Sequence, residues 1–131
     1  MSIKDSIRIV LVGTQHPGNI GSAARAMKTM GLNNLVLVAP KRYPDPEAIA
    51  LAAGADDLLS YAMVVSSLAE ALEGCTYVIG TSSRARSVAL PELTPRQASE
   101  QLVLKSMQST VALLFGPERT GLENEDLQHC Q

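Results

Sequence analysis

Residues 7–31 read IRIVLVGTQHPGNIGSAARAMKTMG, a β-branched run closed by a glycine and followed at once by helical periodicity. Ile and Val dominate Ile7–Gly13 without an interrupting Pro, the composition of a strand buried on both faces. Beyond it Ile20, Ala23, Ala24, Met27 and Met30 recur at the spacing of one helical face, whereas Ser22, Arg25, Lys28 and Thr29 fall outside it. Asn19 is the expected N-cap of this helix and Gly31 its expected stop. A buried strand feeding an amphipathic helix is the first half of a βαβ unit.

The rest of the sequence repeats the alternation. Asn34–Pro40 reads as a second strand, followed by a Pro-punctuated loop carrying Lys41 and Arg42. Helical segments are expected at Pro46–Ala53 and Ser66–Leu72, and a third strand at Thr76–Gly80 leads into TSSRARS. Thr94-Pro95-Arg96-Gln97 opens a further helix as a capping box with Pro at its first position. The fourth strand, Val111–Phe115, ends in GPERTGL. Strands and helices alternating through residues 1–131, with no linker or repeat, predict one α/β domain: a parallel sheet with helices on both faces. Ligands of such sheets bind beyond the carboxyl ends of the strands.

Composition bounds the function. A chain of 131 residues buries roughly two thirds of the surface its unfolded form exposes, enough for a core without staples. No apolar run approaches the roughly 18 residues of a membrane span, and the start MSIKDSIRIV lacks a signal-peptide pattern, so the expectation is a cytoplasmic protein without membrane partners. Cys75 and Cys130 follow neither metal-ligand nor redox spacing. A formal net charge of −2 requires any nucleic-acid site to be a local patch. Aromatic residues at 3% disfavour readers that stack bases on Phe and Tyr platforms.

Three loops at the carboxyl side are chemically unusual: GTQHPGNIGSAAR, GTSSRAR and GPERTGL. In the first, Gly18 and Gly21 permit unusual backbone angles and close approach by another backbone or a ligand, at a helix N-terminus whose free N–H groups favour an anion such as phosphate. Arg25 lies one turn beyond Gly21. Turn geometry for the glycines and a solvated charge for Arg25 account for the same residues equally well, and His16 and Lys28 read as ordinary surface groups. A nicotinamide-binding unit fits badly, because Gly13, Gly18 and Gly21 do not make G-x-G-x-x-G and Ala39-Pro40 stands where a ribose-binding acid belongs. No phosphate-binding G-x-x-x-x-G-K-[ST] is present, and Ser82 lacks the context of a hydrolase nucleophile.

The segments NIGSAARAMKTMGL and LLFGPERTGL resemble the first two motifs of the SPOUT-class RNA 2'-O-ribose methyltransferases. The segment GCTYVIGTSSRAR narrows the resemblance to the TrmJ-type tRNA methyltransferases. The likeness runs from Ile7 to the last residue and rests on three motifs in order at matching spacing. It implies a trefoil-knotted α/β fold, a homodimer with active sites at the subunit interface, S-adenosylmethionine as methyl donor, and the ribose of nucleotide 32 in the tRNA anticodon loop as acceptor. Members of the class continue into a third motif that closes the knot and completes the donor pocket. This sequence ends at His129-Cys130-Gln131, so the resemblance implies a domain truncated at its C-terminal end, with the knot incomplete.

Carried over residue by residue, the resemblance gives Asn19 and Arg25 to the reaction centre, with Glu118 as the acid that supports it. A local ion pair between Glu118 and Arg119 is the structural alternative. Thr81, Ser82, Ser83 and Gly116 match positions lining the donor pocket, and Ser83 stands where relatives often have Ala. Arginine is a poor proton acceptor, its pKa lying above roughly 12, so Arg25 is expected to hold the RNA phosphate and stabilise a developing alkoxide. The transfer requires no metal. Lys41, Arg42, Arg84 and Arg86 fall in carboxyl-side loops and are candidates, with Arg25, for the RNA patch that the net charge demands. The competing classes are a non-catalytic RNA- or phosphate-binding domain and a small-molecule nucleotide binder; Asn19, Arg25 and Glu118 together favour the enzyme.

Overall fold

The structure, a computed structural model, describes residues 3–81, 94–118 and 120–130, without the side chains of Ile3, Lys4, Pro95 and Asn124. Five strands, β1 (Ile7–Val12), β2 (Asn34–Val38), β3 (Met63–Val65), β4 (Cys75–Gly80) and β5 (Thr110–Phe115), form one sheet in the order β3-β2-β1-β5-β4. Every pairing is parallel. The helices are α1 (Ile3–Ser6), α2 (Pro17–Met30), α3 (Pro46–Ala52), α4 (Asp56–Tyr61), α5 (Leu68–Ala71), α6 (Pro95–Ser106) and α7 (Asn124–Leu127).

Strand alternation divides the core in two. Ile7, Ile9, Leu11, Leu35, Leu37 and Val111 turn to the face covered by α2, α3, α4 and α6. Val10, Val36, Val38, Ala112 and Leu114 turn to the opposite face, where Leu68 and Ala71 of α5 and Leu127 of α7 meet them. Burial on both faces explains why these strands read as continuous apolar runs and not as alternating ones. Among the described residues no helix is long and apolar enough to cross a membrane.

The helix ends follow local chemistry. Gly31 takes φ 75°, and the N–H groups of Gly31 and Leu32 donate to Lys28 and Met27 carbonyls, closing α2 as expected. Thr94 and Gln97 form the predicted capping box of α6, and Asp45 caps α3 by accepting from the Glu47 N–H. The start of α2 differs from expectation. Pro17 occupies its first turn and His16 is the N-cap, with no side-chain cap, so Asn19 lies inside the helix. Proline is favoured at the first helical position because its missing N–H has no helical partner there, and this sets the boundary upstream of Asn19.

The sequence predicted four strands, and the structure adds a fifth. β3 is three residues long at a sheet edge, with Met63 and Val64 exposed, too short and too one-sided to carry a period. The preceding α4 carries no readable period either, its apolar pair Leu58 and Leu59 being a single inward turn. Met30, expected in the apolar stripe of α2, is 65% exposed at its last residue.

Leu114 is wholly buried at the centre of the second core face. Leu114→Ala is expected to cost about 2–5 kcal/mol through lost burial and a residual cavity, read as a lowered urea midpoint at unchanged slope. Loss below about 1 kcal/mol would mean that this layer collapses around the gap.

Candidate functional site

The chain leaves β1 for β2 on one side of the sheet, while β4 and β5 occupy the other side, so the loops after β1 and β5 face each other across the point where strand order reverses. Gly13 turns the first loop with φ 63°, and its N–H donates to the Val38 carbonyl. In the second loop the Gly121 N–H donates to Pro117 O at 2.8 Å, bringing Gly121 back beside Pro117. A Cβ on Gly116 would stand 2.3 Å from the Gly121 and Leu122 backbone. Gly116 is thus a glycine because its own loop passes over it. Its contribution to a ligand is confined to the backbone.

Glu118 joins the two loops. Its Oε1 accepts the Gln15 N–H at 3.0 Å, and its Oε2 accepts the His16 N–H at 3.0 Å and Asn19 Nδ2 at 2.7 Å. Partial burial alone would raise its pKa; the donors from Gln15, Asn19 and His16 outweigh that and bring it down to about 2. The group is therefore a fixed anion at neutral pH, held by the two N–H groups that immediately precede α2 and by the Asn19 amide of its first turn. The anion beside this helix start belongs to the protein itself. Arg119 lies outside the described residues.

The two glycines of this loop serve close approach by another element and not unusual backbone angles. Both are helical, and neither has positive φ. A Cβ on Gly21 would lie 2.1 Å from Ala48 O, and one on Gly18 would lie 2.6 Å from Leu51 Cδ1. They admit α3, not a phosphate.

Asn19, Thr14, Gly116 and Glu118 line the mouth of an apolar groove of about 600 Å³ between α2 and α6, floored by Leu11 and Leu113. Arg25 is not part of this cluster. Six residues along α2 from Asn19, it is turned roughly 120° round the helix toward the α3 flank. It is exposed, and none of the described residues pairs with its guanidinium. Lys41 and Arg42 are exposed on the loop after β2, and the Lys41 N–H donates to Thr14 O at 3.0 Å, so this loop adjoins the one carrying Gln15. Thr81 ends β4 beside β5, its N–H and Oγ1 both donating to Leu114 O. Ser82, Ser83, Arg84 and Arg86 lie outside the described residues.

The residues read as ordinary are so. Lys28 pairs with Asp57 Oδ1 at 3.1 Å and donates to Gly54 O, and the exposed His16 engages Glu118 only through its backbone. Both cysteines are free and half-buried, and burial raises the thiol pKa of each, that of Cys130 to about 11. Sequence reasoning missed Gln15 and His16 as donors and Thr14 as an acceptor for the next loop. All three act through main-chain atoms, which leave no mark on residue type.

The Glu118 clamp has a pH signature. Because its folded-state pKa lies below the ordinary 4.5, its stabilisation is fully present above about pH 4.5 and is lost as pH falls through about 2. Glu118→Gln is expected to lower stability at pH 7 by about 1 kcal/mol after solvent screening, with the gap to the parent closing between those values. Equal Tm values for the two proteins at pH 7 would dismiss the clamp.

Comparison with known proteins accords with this geometry. Residues 6–131 match the SpoU rRNA Methylase family. The chain is 56% identical over 125 residues to the tRNA (cytidine/uridine-2'-O-)-methyltransferase TrmJ of Sodalis glossinidius (strain morsitans), covering 95% of this chain and 49% of that protein. It therefore spans about half the length of that curated relative. A probable methylase family protein from Haemophilus influenzae Rd KW20 superposes with a TM-score of 0.89 at 49% identity, over 96% of this chain and 53% of that one. The SpoU methyltransferase AviRb from Streptomyces viridochromogenes, solved in complex with AdoMet, shares the fold at TM-score 0.68 and 21% identity, over 98% of this chain and 47% of its own. With a family match from residue 6 to the last, the chain belongs to the SpoU methylase family.

Proposed function

We propose that residues 1–131 form the SPOUT methyltransferase domain of a cytoplasmic enzyme that transfers a methyl group from S-adenosylmethionine to the ribose 2'-oxygen of nucleotide 32 in the tRNA anticodon loop. The observation that carries this reading is the Glu118 clamp, which brings the Asn19 of one motif and the GPE turn of the other into one crevice at the carboxyl ends of β1 and β5. The tRNA 2'-O-methyltransferase activity of the Sodalis relative and the AdoMet bound to AviRb support the substrate and donor classes.

The described donor-side residues fit such a group. Thr81 and Gly116 stand just beyond the ends of adjacent strands, paired through Gly80 and Leu114. Ser82 and Ser83 follow Thr81 directly in the sequence. When bound, S-adenosylmethionine supplies a methyl group already activated by its sulfonium. The protein's tasks are alignment and the handling of one proton.

Each side chain has a distinct part. Glu118 is ionised and spends its oxygens on three donors, so it positions and does not shuttle protons. It takes the Asn19 amide nitrogen, which leaves Asn19 Oδ1 free to accept the hydrogen bond of a ribose hydroxyl. Arg25 holds the RNA phosphate and stabilises the developing alkoxide, with phosphate or water taking the proton. Its place round α2, away from its own Asn19, suits a homodimer in which Arg25 of one subunit serves the site of the other. Lys41 and Arg42, with Arg84 and Arg86, supply the local positive surface for tRNA.

The test is transfer from labelled donor to bulk tRNA, with the labelled ribose mapped. The 131-residue chain is compared with one extended through the third motif. The extended chain is expected to methylate position 32, and the shorter one to bind donor weakly or undetectably by calorimetry. Arg25→Ala in the active form is expected to lower turnover by roughly 10²–10³-fold at nearly unchanged donor affinity, and Arg25→Lys to rescue little of it. Wild-type turnover in Arg25→Ala would remove its assigned role. Sedimentation of the active form only as a monomer at micromolar concentration would remove the two-subunit site.

A further inference from the structure

The loop between β2 and α3, Ala39–Asp45, is held at several points. The Ala39 N–H donates to Val65 O, the Lys41 N–H to Thr14 O, and Tyr43 Oη to Leu59 O, while Asp45 caps α3. Between these anchors Lys41 and Arg42 stand exposed, with no ion pair among the described residues. The loop's far end is α3, whose own position is set by α2.

That setting is unusually tight. A Cβ on Gly21 would meet Ala48 O at 2.1 Å, and Ala48 C and Ala52 N at 3.0 Å. All three are main-chain atoms, so no rotamer change relieves the overlap. Ordinary packing distances would require α3 to retreat by roughly 1 Å. Pro46 begins α3 two residues before Ala48, and Asp45 is bound into its first turn. A retreat of α3 therefore drags the end of the loop while Thr14 holds its middle.

We propose that Gly21 is a positioning residue for RNA recognition. By letting the α3 backbone seat directly on α2, it sets the loop so that Lys41 and Arg42 meet the tRNA phosphates, and it touches no ligand itself. This rests on the tRNA reading above. Gly18 is the internal control: its Cβ would meet the end of Leu51, a side chain 46% exposed and able to turn away.

The test is tRNA binding by the chain across a salt series, for the parent, Gly18→Ala, Gly21→Ala, the pair Lys41→Ala with Arg42→Ala, and that pair combined with Gly21→Ala. Gly21→Ala is expected to weaken binding about tenfold and to flatten the salt dependence by about 0.7 for each phosphate no longer neutralised. Gly18→Ala should stay within about twofold of the parent. The combined variant should bind no more weakly than the pair alone, because Gly21 acts only through those cations. Multiplying effects, or a Gly21→Ala variant within twofold of the parent, would overturn the proposal. A parent chain that binds no tRNA overturns the underlying reading and this one with it. Should Gly21→Ala fail to fold by circular dichroism, Tyr43→Phe frees the same loop from α4 with little change in volume. It is expected to weaken binding two- to fivefold and to add nothing to the pair; multiplication there overturns the proposal equally.

Discussion

Parallel pairing of β1 with β5 places residues separated by about a hundred positions in the chain at one end of the sheet. Everything in the site depends on that juxtaposition. Each strand delivers a loop at its carboxyl end, and loops from parallel neighbours emerge side by side. A carboxylate from one loop then meets three N–H donors of the other, including two main-chain groups at the start of α2. Those donors would otherwise need water or a ligand. The two N–H groups that lead into the helix are thereby satisfied, and Asn19 is fixed before any substrate arrives.

Preorganisation of this kind suits a reaction whose leaving group needs little help. On the proposed reading, with an activated methyl donor, the rate advantage available to the protein lies in alignment, and alignment is lost if the aligning groups can titrate or swing. Glu118 does neither near neutral pH. Its three donors lower its proton affinity to a pKa of about 2, so the geometry of Asn19 does not change across the physiological range.

What was legible in the sequence follows from whether side chains or backbones do the work. β1, β2, β4 and β5 were visible because burial on both faces demands unbroken apolar runs, and α6 was visible because its capping box is made of side chains. β3 was invisible because three edge residues carry no period, and the start of α2 was misplaced because Asn19 resembles a cap while Pro17 fixes the boundary. The glycines were legible as points of close approach, with another backbone or a ligand left open as the neighbour. Absence of a side chain announces that something comes close, and does not say whether it is a phosphate or the backbone of α3. Glu118 entered the site through family resemblance alone, since two of its three partners are main-chain donors that any residue supplies.

The distribution of cations makes the same distinction in charge. Arg8 spends a guanidinium nitrogen on the Ala71 and Glu73 carbonyls at the end of α5, Lys28 is paired with Asp57, and Lys105 lies 5.5 Å above the Tyr77 ring. Each of these has a structural partner that offsets its desolvation and fixes its place. Arg25, Lys41 and Arg42 have no such partner among the described residues, and Lys41 and Arg42 stand on the loop tied to Thr14 at the crevice. In a chain of net charge −2, positive potential can gather only where cations are left uncompensated, and here two of them stand on a loop tied near the Glu118 clamp by the Lys41 N–H to Thr14 O bond. Among the described residues Arg8, Lys28 and Lys105 are compensated in place, which leaves the loop after β2 as one of the few surfaces where positive charge stands without a partner.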